Sequence, residues 1–118
     1  MGSTVLDAGV PLQAGLHVYA HCQKGMPGGV SLLVINTDRS ASHALMLADV
    51  AQRYTLDAVD LSRTEIRLNG GTLGLDASGA LPTIEGVAAA ADLARFDPAT
   101  ITFLTVPAAA NNACRHAA

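Results

Sequence analysis

The sequence predicts an all-β fold, an antiparallel sandwich of about eight strands. Three observations carry that expectation. Apolar and polar residues alternate with period two along most of the chain. Turn-forming clusters interrupt the pattern at roughly 8–12-residue intervals, the spacing of sandwich strands. An Asn-Gly pair, Asn69-Gly70, stands between two alternating segments. That pair is the strongest short hairpin signal because both residues tolerate the positive φ of a tight primed turn.

The elements follow in order. Val5 and Leu6 belong to a first strand. In LHVYAHC, Leu16, Val18, Ala20 and Cys22 alternate with His17, Tyr19 and His21, as in a half-buried strand. Lys24 to Gly29 (KGMPGG) is a turn. Val30 to Asn36 (VSLLVIN) is almost continuously apolar, which suits a strand covered on both faces. Thr37 to Ser42 turns again. His43 to Leu47, Tyr54 to Val59 and Glu65 to Leu68 read as short strands. Asn69 to Gly71 reverses the chain into a strand at Thr72 to Leu75, and Asp76 to Gly79 makes the next turn. Leu81 to Ile84 is extended around Pro82. Over Gly86 to Ala94 (GVAAAADLA) a helical turn competes with extended chain, because alanine is a strong helix former. Asp97-Pro98 ends that segment, and Ile101 to Val106 (ITFLTV) is a last, β-branched strand.

A chain of 118 residues that is 50% apolar and 14% charged has room for one domain with an aliphatic core. The net charge is −3, and the seven basic residues form no stripe, which argues against nucleic-acid binding. No apolar run approaches the roughly 18 residues of a membrane span. Met1 to Asp7 lacks the basic and apolar regions of a signal peptide, so an export signal would lie outside this chain.

Candidate chemistry begins at Cys22, which sits beside His17 and His21. These are residue types that hold zinc, but a structural zinc site takes four ligands. His43 and His116 are isolated, and alternation turns Cys22 away from both neighbouring histidines. A catalytic Cys–His pair would need an orienting third group, and the sequence offers none. The plainer reading pairs Cys22 with Cys114 in a structural disulfide. It would close a loop of roughly 90 residues, worth on the order of 4 kcal/mol in the chain-entropy description. Such a bond suits a secreted or periplasmic protein. Glycosidase chemistry needs two carboxyl groups at a set separation. Glutamate occurs only at Glu65 and Glu85, both at strand ends or turns. No Gly-x-Ser-x-Gly elbow is present, and no glycine loop leads into a helix to cradle phosphate. No catalytic, cofactor-binding or metal-binding residue is assigned.

The order of the features is more specific than any one of them. TVL, LHVYAHC, a glycine-rich turn, VSLLVINTD, IRLNGGTL, ALPTIEG, FDPATITFLTV and a final Ala-Cys resemble, over nearly the whole chain, the C-terminal β-sandwich of heparanase-like enzymes. These are glycoside hydrolase family 79, endo-β-glucuronidases and β-glucuronidases. In that family a strand ends in a cysteine, an Leu-Asn-Gly hairpin follows, and a cysteine near the C-terminus closes a disulfide with the first. Cys22, Asn69-Gly70 and Cys114 match those positions.

The resemblance implies a larger, retaining enzyme whose (β/α)8 barrel carries two catalytic glutamates and acts on glucuronic-acid polysaccharides such as heparan sulfate. It implies no cofactor. The partner is that barrel, in the same chain or a separate one. Neither Glu65 nor Glu85 matches a barrel motif, so no catalytic residue carries over. Gly9 to Gly15 replaces the cationic stretch of animal heparanases, so the likeness does not extend there. Short turns and the alanine bias point to a bacterial relative. Relatives also feed strand segments from elsewhere in the enzyme into this sandwich, which would leave part of a sheet uncovered here. A stand-alone glycan-binding or adhesion module is the alternative. With Phe103 expected in the core, such a module could present at most Tyr19, Tyr54 and Phe96.

Overall fold

The computed structural model describes residues 1–11 and 13–116. Its elements are ten strands and one short turn of 3₁₀ helix. They are β1 (Val5–Leu6), β2 (Leu16–Cys22), β3 (Val30–Asn36), β4 (His43–Met46), β5 (Ala51–Asp57), β6 (Ile66–Leu68), β7 (Gly71–Leu73), β8 (Val87–Ala89), β9 (Leu93–Phe96), β10 (Thr100–Val106) and η1 (Asn112–Cys114). All strand pairs are antiparallel. The large sheet runs β1-β2-β3-β10-β5-β6-β7, with β8 also paired to β5, and β4 and β9 form a second, two-stranded sheet. The arrangement is that of a β-sandwich with two unequal layers.

Register decides which side chains share a face, because residues opposite each other in a ladder point the same way. Val18, Val34 and Thr102 are in register, as are Ala20, Leu32 and Leu104. This inner face lies beneath the small sheet. Leu45 and Leu47 from the β4 segment, and Ala94 and Phe96 from β9, pack with Leu16, Val34, Leu104 and Val106 into one core. Arg53, on the same face, lays its guanidinium over the Phe96 ring at 4.9 Å. Its Nε donates to Thr55 Oγ1 at 3.0 Å, and Thr55 Oγ1 meets Thr102 Oγ1 at 3.2 Å. Burial holds the Arg53 pKa below its ordinary value, with nearby Asp97 working the other way.

Asn36, at the end of β3, joins the layers. Its side-chain amide donates to the carbonyls of Ala41, Phe96 and Asp97 at 2.9, 3.1 and 3.1 Å. Its Oδ1 accepts from the Asp38 amide at 2.9 Å. One buried side chain thus fixes both the crossing from β3 to β4 and the return from β9 to β10.

The Asn-Gly hairpin is as the sequence predicts. Asn69 and Gly70 have φ of 49° and 84° and connect β6 to β7. Asn69 also stands in for a ladder residue, since its Oδ1 accepts from Thr55 N at 2.8 Å and its own N–H donates to Thr55 O at 2.8 Å. At the other end of the sheet the glycine-rich turn seats the C-terminal segment. Gly28 donates to Cys114 O at 3.0 Å and accepts from Asn111 N at 2.9 Å. A Cβ there would lie 3.4 Å from the Ala110 Cα, on a backbone at φ +81°, which favours glycine.

Several expectations are corrected. The helical turn over Gly86 to Ala94 does not form; β8 and the start of β9 occupy that stretch. Ala51↔Ala89, Gln52↔Ala88 and Arg53↔Val87 pair in a ladder, so tertiary pairing overrides alanine's helix propensity. Leu81 to Ile84, expected as extended around Pro82, joins no ladder, in keeping with a residue that has no N–H to donate. The strand placed at Tyr54 to Val59 spans Ala51–Asp57. The aromatic placement is also reversed. Phe96 is fully buried at 0% exposure. Phe103 instead stands in register with Leu33 and Tyr54, on the opposite face.

Candidate functional site

The cysteines come first. Cys22 and Cys114 form a disulfide across a sequence separation of 92, and both are fully buried. Strand alternation carries Cys22 to the inner face with Leu16 and Ala20. The neighbouring histidines go elsewhere. His21 Nδ1 hydrogen-bonds the Gly2 carbonyl at 2.8 Å, holding the N-terminal segment beside β2. His17 is exposed, and His43 sits in β4 with Nε2 3.7 Å from Asp38 Oδ2. His116 is exposed beyond η1. Among the described residues, no three His, Cys, Asp or Glu side chains gather as metal ligands.

The glutamates are apart in role. Glu65 is exposed and accepts from Thr72 Oγ1 at 3.2 Å. Glu85 is exposed, and its backbone carbonyl accepts from Asn69 Nδ2 at 3.2 Å. The aspartates at 38, 60 and 76 cap turns through their own backbone neighbours.

The largest chemical feature is the outer face of the main sheet. Leu33, Ile35, Ile101, Phe103, Tyr54 and Leu56 share it by register. A groove of about 480 Å³ runs along Ile35, Leu56, Leu61, Ile66 and Ile101, with Arg39 and Arg63 also lining it. A hollow of about 250 Å³ adjoins it at Leu56, between Leu68, Leu73, Ile84 and Phe103. Ile101 and Ile66 are 41% and 39% exposed. The Asp57–Arg67 pair, with both N–O distances at 2.9 Å, braces β5 against β6 beside the groove. The sequence expectation of a β3 covered on both faces thus holds for one face and only in part for the other, where Ser31 is buried but Leu33 and Ile35 are half-buried. The signal was the run VSLLVIN itself: its odd positions are as apolar as its even ones, yet no strand among the described residues lies over them.

A second cleft opens at the free edge of β2. It holds about 370 Å³ and is lined by Asp7, Pro11, Gln13, His17 and Tyr19, among others. The sequence reading singled out His17 and Tyr19 but not Asp7 or Gln13, which lie in a loop with no periodic signal.

No family model matches the chain. Over 94 residues it is 33% identical to the baicalin-β-D-glucuronidase of Scutellaria baicalensis, an alignment covering 74% of this chain and 18% of that protein. The chain therefore spans about a fifth of the length of the curated relative it matches, and it is related to a segment of a glycoside hydrolase. Among solved structures, a GH30 endoxylanase from Clostridium papyrosolvens superposes with a TM-score of 0.47 at 17% identity, over 88% of this chain and 23% of that one. A likeness of that size carries no argument about function.

Proposed function

We propose that residues 1–118 are a single, non-catalytic β-sandwich domain of a heparanase-like retaining glycoside hydrolase of family 79. The domain packs on the enzyme's (β/α)8 barrel and stabilises it. The barrel supplies both catalytic glutamates and acts on heparan sulfate or a related glucuronic-acid polysaccharide. The observation that carries the reading is the apolar outer face of β3, β10, β5 and β6, uncovered in a chain that is similar to a fraction of a β-glucuronidase. A contiguous apolar face of this kind marks a protein–protein contact. A disulfide closing the sandwich is consistent with a secreted or periplasmic enzyme.

The test compares this chain with a longer product that includes the preceding coding region. Both are assayed for hydrolysis of an aryl β-D-glucuronide and of an unsulfated glucuronate–glucosamine polysaccharide. The expected result is no turnover by the chain alone and turnover by the longer product. Ile101→Asp with Ile66→Asp in the longer product should lower its melting temperature by several degrees, since each buries a charge against the barrel. Turnover by the isolated chain, or a melting temperature indifferent to both substitutions, overturns the reading.

A further inference from the structure

The cleft at the edge of β2 borders the apolar face but shares no lining residue with its groove, and its origin is local. β1 pairs with β2 only at Val5↔His21 and Leu6↔Ala20. The next positions of that ladder would set Asp7 opposite Tyr19 and Gly9 opposite His17. The chain leaves the ladder instead. Asp7 Oδ1 accepts from Gly9 N at 2.9 Å, and Gly9 takes φ 68°. Beyond it, Gln13 bridges to Leu16. The edge of β2 from His17 to Tyr19 is left facing a walled cleft of about 370 Å³.

The lining selects a ligand class. Tyr19 is 51% exposed and, among the described residues, is the one tyrosine or phenylalanine in the cleft, next to Leu33 by register. His17 stands two residues away on the same face. Asp7 and Gln13 add a carboxylate and an amide to the lining. A ring to stack on, with donors and acceptors around it, matches a pyranose, whose C–H face is apolar and whose rim is hydroxyl. With Oδ1 accepting from the Gly9 amide, the second oxygen of the exposed Asp7 is left to accept from sugar hydroxyls. Among the described residues, no lysine or arginine lines the cleft, while a carboxylate does. A uronate, sulfate or phosphate would meet like charge without compensation. The volume accommodates one to two sugar rings, at the small end of ligand pockets.

We infer that Tyr19, His17, Asp7 and Gln13 form a subsite for a neutral pyranose unit of a polysaccharide, at the β2 edge of the outer face, where His17 and Tyr19 stand in register with Ile35 and Leu33. The subsite would hold neutral stretches of a glycan while the chemistry happens elsewhere, and it requires no turnover by this chain. The inference does not rest on the barrel-packing reading.

Saturation-transfer NMR on the whole chain tests it, a readout that tolerates self-association. Xylohexaose and cellohexaose serve as neutral probes, and a glucuronate–N-acetylglucosamine hexasaccharide as the acidic one. A neutral hexasaccharide should bind in the millimolar range, as a single stacking contact allows. Tyr19→Ala should weaken binding by about tenfold, and Tyr19→Phe should retain most of it. Asp7→Asn should weaken the neutral probe and narrow the discrimination against the acidic one. Circular dichroism melts confirm that each variant is folded. The inference fails if neither neutral probe binds, if the acidic probe is preferred, or if a folded Tyr19→Ala binds like the parent.

Discussion

At the scale of single residues, short polar side chains shape the turns. Asp38, Asp60 and Asp76 each open an Asp-x-Ser turn. Asp38 Oδ1 accepts from Ser40 N at 3.0 Å and Ala41 N at 3.1 Å. Asp60 Oδ1 accepts from Ser62 N and Oγ, both at 2.9 Å. Asp76 Oδ1 accepts from Ser78 Oγ at 2.6 Å and Ser78 N at 2.8 Å. These bonds hold the three carboxyls below their ordinary value of 3.8, led by the Ser40 amide, the Ser62 amide and the Ser78 hydroxyl respectively. A carboxyl with a lowered folded pKa binds protons less readily when folded than when unfolded. Its contribution is therefore complete above the ordinary value and is lost as pH falls through the folded value. Melting temperature should be level through neutral pH and fall below about pH 4. Replacing all three aspartates with asparagine should keep the turns and make the acid limb shallower. An acid limb as steep as the parent's would refute this. Turn chemistry of this kind was legible in the sequence, because Asp-x-Ser writes its own local hydrogen bonds. The role of Asn36 was not, because its three acceptors lie on segments up to 61 residues away.

Among the elements, β10 is central. It pairs with β3 along its whole length and with β5 on the other side. Its β-branched run and that of β3 stand out in the sequence for that reason. β8 and β9 do not stand out, since an alanine-rich segment becomes strand only when β5 and β4 are there to pair with it. The C-terminal η1 has no sheet to join and is held by its cap, its contacts with Gly28 and the disulfide. The Cys22→Ser/Cys114→Ser double variant removes the last of these. With the cysteines 92 positions apart, the loss should be roughly 4 kcal/mol, seen as a lower denaturant midpoint in urea. The amides of η1 should lose hydrogen-exchange protection first, since they open locally before the sheet does. An unchanged midpoint on reduction would show that the Gly28 contacts alone suffice.

The whole molecule is a slab, measuring 41 × 38 × 24 Å along its principal axes. Its radius of gyration is 14.9 Å, against about 13.5 Å for a compact chain of this length. The excess comes from a small sheet that covers only part of one face of a large one. Two consequences differ in kind. A sequence shows which strand positions are apolar, and VSLLVIN and ITFLTV show apolar residues on both sides. It does not show whether the covering element belongs to the same chain; the resemblance implied an uncovered part of a sheet, and the strand order shows which face it is. In isolation that face has no partner but another copy. The chain should then sediment as a concentration-dependent dimer or larger species at about 100 µM, because a contiguous apolar face left in water favours association. Ile101→Lys with Ile66→Lys should return it to a monomer. The cost to folding should be under about 1 kcal/mol, because both side chains are already about 40% exposed. A parent that stays monomeric at that concentration would mean that the twist of the sheet and the Arg39 and Arg63 side chains at the groove already protect the face. The same two lysines would then leave sedimentation unchanged, which separates an intrinsically quiet surface from one that waits for a partner.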